Sequence, residues 1–285
     1  MDHTDFVLDD LVQLTRQKGF DFSLDTWLIR TGVNSHVGFA MLWQADAGRM
    51  LYSFGVVHPS HQGRGLGATL LRGIEERAGR LRAESPGPVV LRHHTYGNDS
   101  RAHEMLRERG FVTVRHEYTM LIETGEETID IPEVSGISIA RCGVDLEEPE
   151  AREIHELIEE TFRNEWGRSP RTFEEWTAQS WSRKDHDKSL WFLARDGAGQ
   201  LVGALLGNLA EDVGWVGALG VLEKHRRRGI ATALLKHSFA EFQGRGVEKV
   251  GLGVDAANPT GAVGVYERAG MHAISSYEIF EKAHP

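Results

Sequence analysis

Apolar residues recur along this chain in two rhythms. Short runs, apolar throughout or at every second place, cover Thr26–Ile29, Val37–Gln44 and Met50–Val57. They return at Ile137–Ala140, Leu190–Ala194, Leu201–Leu209, Val213–Val221 and Val247–Val254, with a last run near Ala273–Phe280. Their length and β-branched content predict strands. Between them, apolar residues fall at helical spacing. One such stretch is Phe6–Gln17. A second is Glu147–Thr161, with Ile154, Leu157, Ile158 and Phe162 on one face. A third follows Gly229 and carries Ile230, Leu234, Leu235, Phe239 and Phe242. Strands interleaved with helices predict an α/β protein.

One motif is written twice. Residues 57–71 read VHPSHQGRGLGATLL and residues 221–235 read VLEKHRRRGIATALL. In each, an apolar strand enters a Gln/Arg-x-x-Gly-x-Gly/Ala turn that opens a helix. The repeat extends further. Asn98 opens a helix ended by Gly110, and Asn258 opens one ended by Gly270. Both spans are 12 positions, and both pairs read as an Asn cap and a terminal glycine. Residues 124–136, polar, acidic and holding Pro132, read as a linker. Two domains follow, 1–123 and 137–285. The first is short at its front: 61 positions separate Met1 from Gln62, against 89 from Ile137 to Arg226.

With 285 residues the chain has the length of two ordinary domains. A net charge of −10 argues against nucleic acid as the main partner, because a phosphate backbone needs basic surface. The single cysteine, Cys142, excludes an internal disulfide and fits a reducing, cytoplasmic setting. The start, MDHTD, resembles no signal peptide, and no apolar run reaches membrane-spanning length. His93, His94 and His103 have no Cys or carboxylate at ligand spacing, so they read as surface or packing residues and no metal is expected.

A strand that turns through glycine into a helix offers unpaired amides and the positive end of a helix dipole, a setting for a pyrophosphate. Arg226, Arg227 and Arg228 oppose that dipole unless an anion compensates them. The run from Gly63 to Ala68 also fits the dinucleotide fingerprint Gly-x-Gly-x-x-Gly/Ala. That reading fails in the second copy, where only Gly229 remains, and several strands precede the motif.

Strands, then Val-x-Pro-x-x-Gln-Gly-Arg-Gly-Leu-Gly, then helix, strand and Asn-led helix: this order resembles the GNAT family of acyl-CoA-dependent N-acetyltransferases. The resemblance covers nearly the whole chain as two tandem copies. It implies two domains, each a mixed, mostly antiparallel sheet flanked by helices, the first truncated at its N-terminus. It also implies that amides of Arg227, Arg228, Gly229, Ile230 and Ala231, with Arg226 before them, hold the pyrophosphate of acetyl-CoA. Gln62, Gly63, Arg64, Gly65 and Gly67 occupy the matching places in the first copy. A kink near Leu219–Val221 would splay that strand from Val250–Val254, and backbone groups of Leu219 and Val221 would line the acyl-pantetheine arm. Asn258 would position cofactor or the helix start. Tyr266 falls where the family commonly places the acid that protonates the departing thiolate. The first copy has Leu106 there, which cannot donate a proton. The expected function is therefore transfer of an acetyl group from acetyl-CoA to a small-molecule primary amine, by direct attack in the second domain, with the first non-catalytic.

Where relatives carry a basic glutamate, this chain has Trp215. Glu211 and Asp212 are the nearest carboxylates and stand as candidates for the base. Trp166 falls where relatives shape the acceptor pocket. The Trp215 departure leaves a non-catalytic acyl-CoA-binding pseudoenzyme or sensor open as the alternative. The amine, and the choice between monomer and homodimer, stay open.

Overall fold

The computed structural model describes residues 20–32, 35–45, 49–143, 145–181, 187–210, 212–258 and 260–284. The helix expected over Phe6–Gln17 lies outside these. The chain runs through α1 (Phe22–Asp25), β1 (Thr26–Arg30), β2 (His36–Ala45), β3 (Met50–Val57), α2 (Leu66–Glu84), β4 (Val89–Tyr96), α3 (Ser100–Glu108) and β5 (Val112–Glu123). It continues through β6 (Ile137–Arg141), α4 (Glu148–Thr161), α5 (Phe173–Trp176), β7 (Trp191–Asp196), β8 (Leu201–Ala210), β9 (Val213–Val221), α6 (Ile230–Gly244), β10 (Lys249–Asp255), α7 (Ala262–Arg268) and β11 (His272–His284). Among the described residues no helix is long and apolar enough to cross a membrane.

Two compact units emerge. The first takes the chain up to Glu117 together with the segment from Ser275 onward; the second is Tyr118–Ile274. This division differs from a cut into 1–123 and 137–285. β11, last in the chain, lies antiparallel to β4 of the first unit, from Tyr277 opposite Tyr96 to His284 opposite Val89. The latter half of β5 counts with the second unit and neighbours β10.

Within the first unit β1, β2 and β3 are antiparallel and β3 runs parallel to β4. Helix α2 turns Leu70, Leu71, Ile74 and Ala78 onto Leu42, Leu51, Leu91 and Phe280. In the second unit β6 to β9 are antiparallel and β9 runs parallel to β10. Its sheet is covered on both faces. Ile230, Leu234, Leu235, Phe239 and Phe242 of α6 fill one core; Ile154, Leu157 and Ile158 of α4 join Trp176 and Trp191 in the other. β8 is therefore buried from Leu201 to Gly207, which explains its unbroken apolar run. Each fully buried Leu or Phe here contributes roughly 1.5–3 kcal/mol.

Both units are mixed and mostly antiparallel, as the family resemblance implies. Among the described residues the first has no counterpart of β6 and α4 ahead of its strands. The segment 124–136 forms no helix or strand, yet it is tied down: the side-chain amide of Gln243 lies 3.0, 2.9 and 2.8 Å from the carbonyls of Thr124, Gly125 and Glu127.

One local expectation is corrected. Neither asparagine caps its helix. Asp99 caps α3, accepting from the amide of Ala102 at 3.0 Å, and Gly261 precedes α7. Asn258 instead closes a tight turn, accepting from the Thr260 amide and hydroxyl at 2.9 and 2.6 Å. A pyrrolidine follows Asn258 in sequence, which disfavours helical backbone at that residue. The helix ends are as expected: Gly110 and Gly270 have φ of +84° and +98°, and Phe111 and Met271 donate back to the carbonyls of Leu106 and Tyr266.

Candidate active site

The two turns are nearly the same object. Gly63 and Gly65 have φ of +72° and +77°; Arg227 and Gly229 have +59° and +85°. Two left-handed residues separated by one turn successive amides toward a common point. The Gln62 side chain donates to the Val57 carbonyl at 3.2 Å, and Arg226 Nε donates to that of Val221 at 3.0 Å, so each copy ties its turn to its strand in the same way. Neither helix start has a side-chain cap. Among the described residues no acceptor meets the amides of residues 63–68 or 227–232. These orphan donors at the end of a helix dipole fit a pyrophosphate. Arg228 is partly spent on the Ser135 carbonyl at 2.8 Å, while Arg227 projects into solvent.

Arg227 stands where the first copy has Gly63, and a side chain at positive φ costs about 1–2 kcal/mol. Arg227→Gly is therefore expected to leave stability unchanged or slightly raised and to weaken binding of a pyrophosphate-bearing ligand several-fold through the lost charge. Urea unfolding and calorimetry check both halves. A marked loss of stability would contradict the strain argument.

The strands behind the turns differ between copies. β3 holds a regular register against β2 and pairs with β4 over five residues, Met50 to Phe54. β9 pairs with β10 only at Val213, Gly214 and Trp215. Beyond them the register against β8 shifts: Val216 faces Gly207 but Ala218 faces Leu206, which leaves Gly217 as an extra residue. A bulge bends its strand, and here Leu252–Asp255 of β10 run on without β9. The kink thus lies at Gly217, just before Leu219. The Leu222 amide donates to Val202, so alternation along this antiparallel pair turns Leu219 and Val221 away from β8, toward the fork. The Val221 carbonyl is the one already met by Arg226.

Tyr266 lies on α7, half-buried against the core that α6 and β10 share. Burial, and next the negative charge of Glu165, push its phenol up to about 12, so it stays protonated throughout the neutral range. At the matching place Leu106 is fully buried in the first unit's core.

Glu165 is the residue that sequence reasoning passed over, one position before Trp166. It sits in the loop between α4 and α5. Gly220 lets the end of α4 come close to β9, because a Cβ there would clash with Thr161 Oγ1. Glu159 then folds the loop back: it takes Arg168 Nη2 at 2.8 Å and the Arg171 amide at 3.2 Å, while Arg168 lies over the Phe162 ring at 4.8 Å. Burial raises the Glu165 carboxyl above the usual range; Arg168 opposes the rise and Asp255, at the end of β10, adds to it. Trp166 is half-buried in the same loop. Asp212 lies exposed in the β8–β9 hairpin, ~25 Å along β9 from the phosphate turn at ~3.3 Å per residue. Glu211 is outside the described residues. Trp215 packs over Gly251, whose Cβ would meet its ring. Among the described residues no cluster of His, Cys, Asp or Glu could hold a metal ion.

Comparison with known proteins gives the class to which this arrangement belongs. Residues 151–271 match the acetyltransferase (GNAT) family model, and residues 23–113 match an acetyltransferase (GNAT) domain. The chain is similar to a GCN5-related N-acetyltransferase from Sphaerobacter thermophilus, with 30% identity and a TM-score of 0.85 over 99% of this chain and 87% of that one. It is 29% identical to the mycothiol acetyltransferase of Thermobispora bispora over 82% of this chain and 76% of the relative. A tandem GNAT protein from the clavulanic acid biosynthesis pathway shares the fold, with a TM-score of 0.67 at 17% identity over 92% of this chain and 83% of that one. The chain belongs to the GNAT family, with two GNAT domains in tandem.

Proposed function

We propose that the second unit transfers an acetyl group from acetyl-CoA to a primary amine of a small molecule, by direct attack, and that the first unit does not catalyse. The observation that supports this most is the asymmetry of the copies. Both have the glycine turn before an uncapped helix, but the second pairs its parallel strands over only three residues, bends β9 at Gly217, and carries Tyr266 where the first has Leu106. Acetyl-CoA supplies the activated thioester carbonyl. Amides 227–231 with Arg226 and Arg227 would hold its pyrophosphate, and the Leu219 backbone would line the pantetheine arm and polarise that carbonyl. Tyr266 would donate its proton as charge develops on the sulfur. The likeness to a mycothiol acetyltransferase is compatible with an amine acceptor and does not name it.

Tyr266→Phe is expected to lower kcat at saturating acetyl-CoA by ~10²-fold or more while leaving calorimetric affinity for acetyl-CoA unchanged. Unchanged turnover removes Tyr266 from this role. Acetyl-CoA binding without thiol release across a panel of amines would favour a non-catalytic acyl-CoA sensor instead.

A further inference from the structure

Trp215 is the largest side chain on β9, yet it joins neither core cluster of the second unit. Gly214 beside it faces Phe242 of α6, so alternation turns the indole to the opposite face, the one on which Gly220 meets Thr161 of α4. The ring lies over β10 at Gly251, where a Cβ would come within 2.8 Å of it. The indole is half-buried, and among the described residues no second ring, cation or hydrogen-bond partner meets it. Asn208 stands directly opposite on β8, and opposed residues of an antiparallel pair share a face. Its carboxamide is half-buried, has no hydrogen-bond partner among the described residues, and borders the bulge at Gly217. The pairing of β9 with β10 ends at Trp215 and Gly251, so the indole and the amide lie where those strands part. An indole offers a broad apolar face, and a carboxamide one acceptor and two donor protons. Together they fit a ligand with a ring to lay on the indole and a polar substituent at its rim. Neither residue carries charge, so the pair offers an ammonium chain no counter-ion.

We infer that Trp215 and Asn208 select the acceptor: a primary amine borne on a ring, with the ring stacked on the indole and its hydroxyl or carbonyl substituent bonded to the Asn208 amide. This rests on the acetyltransferase reading above and names the substrate class of that same site. The chemistry recognised is a flat ring face edged by a polar group, which an aromatic ring and a sugar ring both supply. Stacking holds the ring beside the parting strands, and the amide fixes its rotation about the stacking axis. The amine is thereby aimed along β9 toward the backbone of Leu219, four residues on. Neither side chain takes a proton in the reaction; both position the acceptor. Gly251 belongs to the same arrangement, because the indole occupies the space its side chain would take.

The test uses the full chain, acetyl-CoA and four amines. Tyramine and glucosamine carry a ring with hydroxyls, phenethylamine a ring without them, and spermidine is a chain. Thiol release by the wild type comes first. Release with none of the four overturns the acetyltransfer reading itself, and this inference with it. Otherwise kcat/KM for tyramine or glucosamine is expected to exceed that for spermidine by ~10-fold or more, and the better of the two tells an aromatic from a sugar ring. Trp215→Leu should lower that preference by ~10-fold, chiefly through KM, while calorimetric affinity for acetyl-CoA stays unchanged. Trp215→Phe, which keeps a ring, should recover most of the preference, and a purely structural loss would not follow the ring. Asn208→Ala should cut the preference for the hydroxylated ring over phenethylamine by ~5-fold. Equal or faster turnover of spermidine, or a ring preference that survives Trp215→Leu, overturns the ring-amine assignment alone. A preference for hydroxylated rings that survives Asn208→Ala removes Asn208 from it.

Discussion

A chain ended after Ile274 is expected to lose the first unit while most of the second stays folded. The reason is the identity of what β11 supplies. Ile279 and Phe280 are buried, at 1% and 0% exposure, and Phe280 belongs to the cluster formed by Leu70, Leu71 and Leu91. Emptying a buried Phe site costs about 3–5 kcal/mol. Arg92 is only 5% exposed and donates to Glu281 through Nε at 2.9 Å and Nη2 at 2.6 Å. Without β11 its guanidinium loses Glu281 while it keeps the Tyr52 hydroxyl and the face of that ring, and removing one partner from a buried pair costs about 3–5 kcal/mol. Glu75 is less exposed to the loss, because Arg109 remains at 2.6 Å when Lys282 is gone. Together these losses approach the whole stability of an ordinary domain. Hydrogen exchange should show β2, β3, β4 and α2 unprotected in the truncated chain and α6 and β8 still protected. The point variant Phe280→Ala should show a smaller loss confined to the same elements. Full protection of α2 after truncation would refute this account of the first unit's core.

Much of the fold was legible because strand edges coincide with changes of composition. Met50–Val57 and Val213–Val221 have the bounds read from the sequence, and Gly65 and Gly229 fall where the turn requires positive φ. The exchange of end strands was not legible. β5 and β11 each follow a helix closed by glycine, both carry alternating apolar residues, and alternation tells which face is buried but not which neighbour a strand joins. The fork was legible as an expectation, while its cause was not: Gly217 is one of several glycines in an apolar strand, and only the register against β8 singles it out. Glu165 was hidden for another reason. Its loop is folded by the Glu159–Arg168 pairing, which apolar spacing does not reveal. Asp212, a candidate base read from the strand before the motif, is exposed in the hairpin between β8 and β9.

Lowering the pH from 6.5 to 5 is expected to strip the first unit of up to ~4 kcal/mol, through two adjacent histidines on β4. His93 is buried, and burial, with the charge of His94, depresses its pKa to about 3. His94 is depressed to about 4 by burial and then by Arg92. Ser53 gives its hydroxyl proton to the Arg92 carbonyl at 3.0 Å, so His93 carries its own proton on Nδ1 and donates to Ser53 Oγ at 2.8 Å. His94 Nε2 is buried and has no hydrogen-bond partner among the described residues. Both rings are thus folded as neutral imidazoles. Below pH 6.5 the unfolded chain binds two protons that the folded chain refuses, so stability is full above 6.5 and falls as pH falls, until the folded pKa values near 4 and 3 are reached. Each group contributes about 1.4 kcal/mol per pH unit, and two groups over 1.5 units give the figure above. Tm should drop by roughly 12 °C or more between pH 6.5 and 5. His94→Phe should halve that drop without lowering stability at pH 7.5, because the replacement removes an unpaired polar atom and keeps a ring beside Tyr52, whose centroid is 6.1 Å away. A Tm that stays flat across this range, or a variant as acid-sensitive as the parent, would show that the two imidazoles are hydrated or protonated in the folded protein.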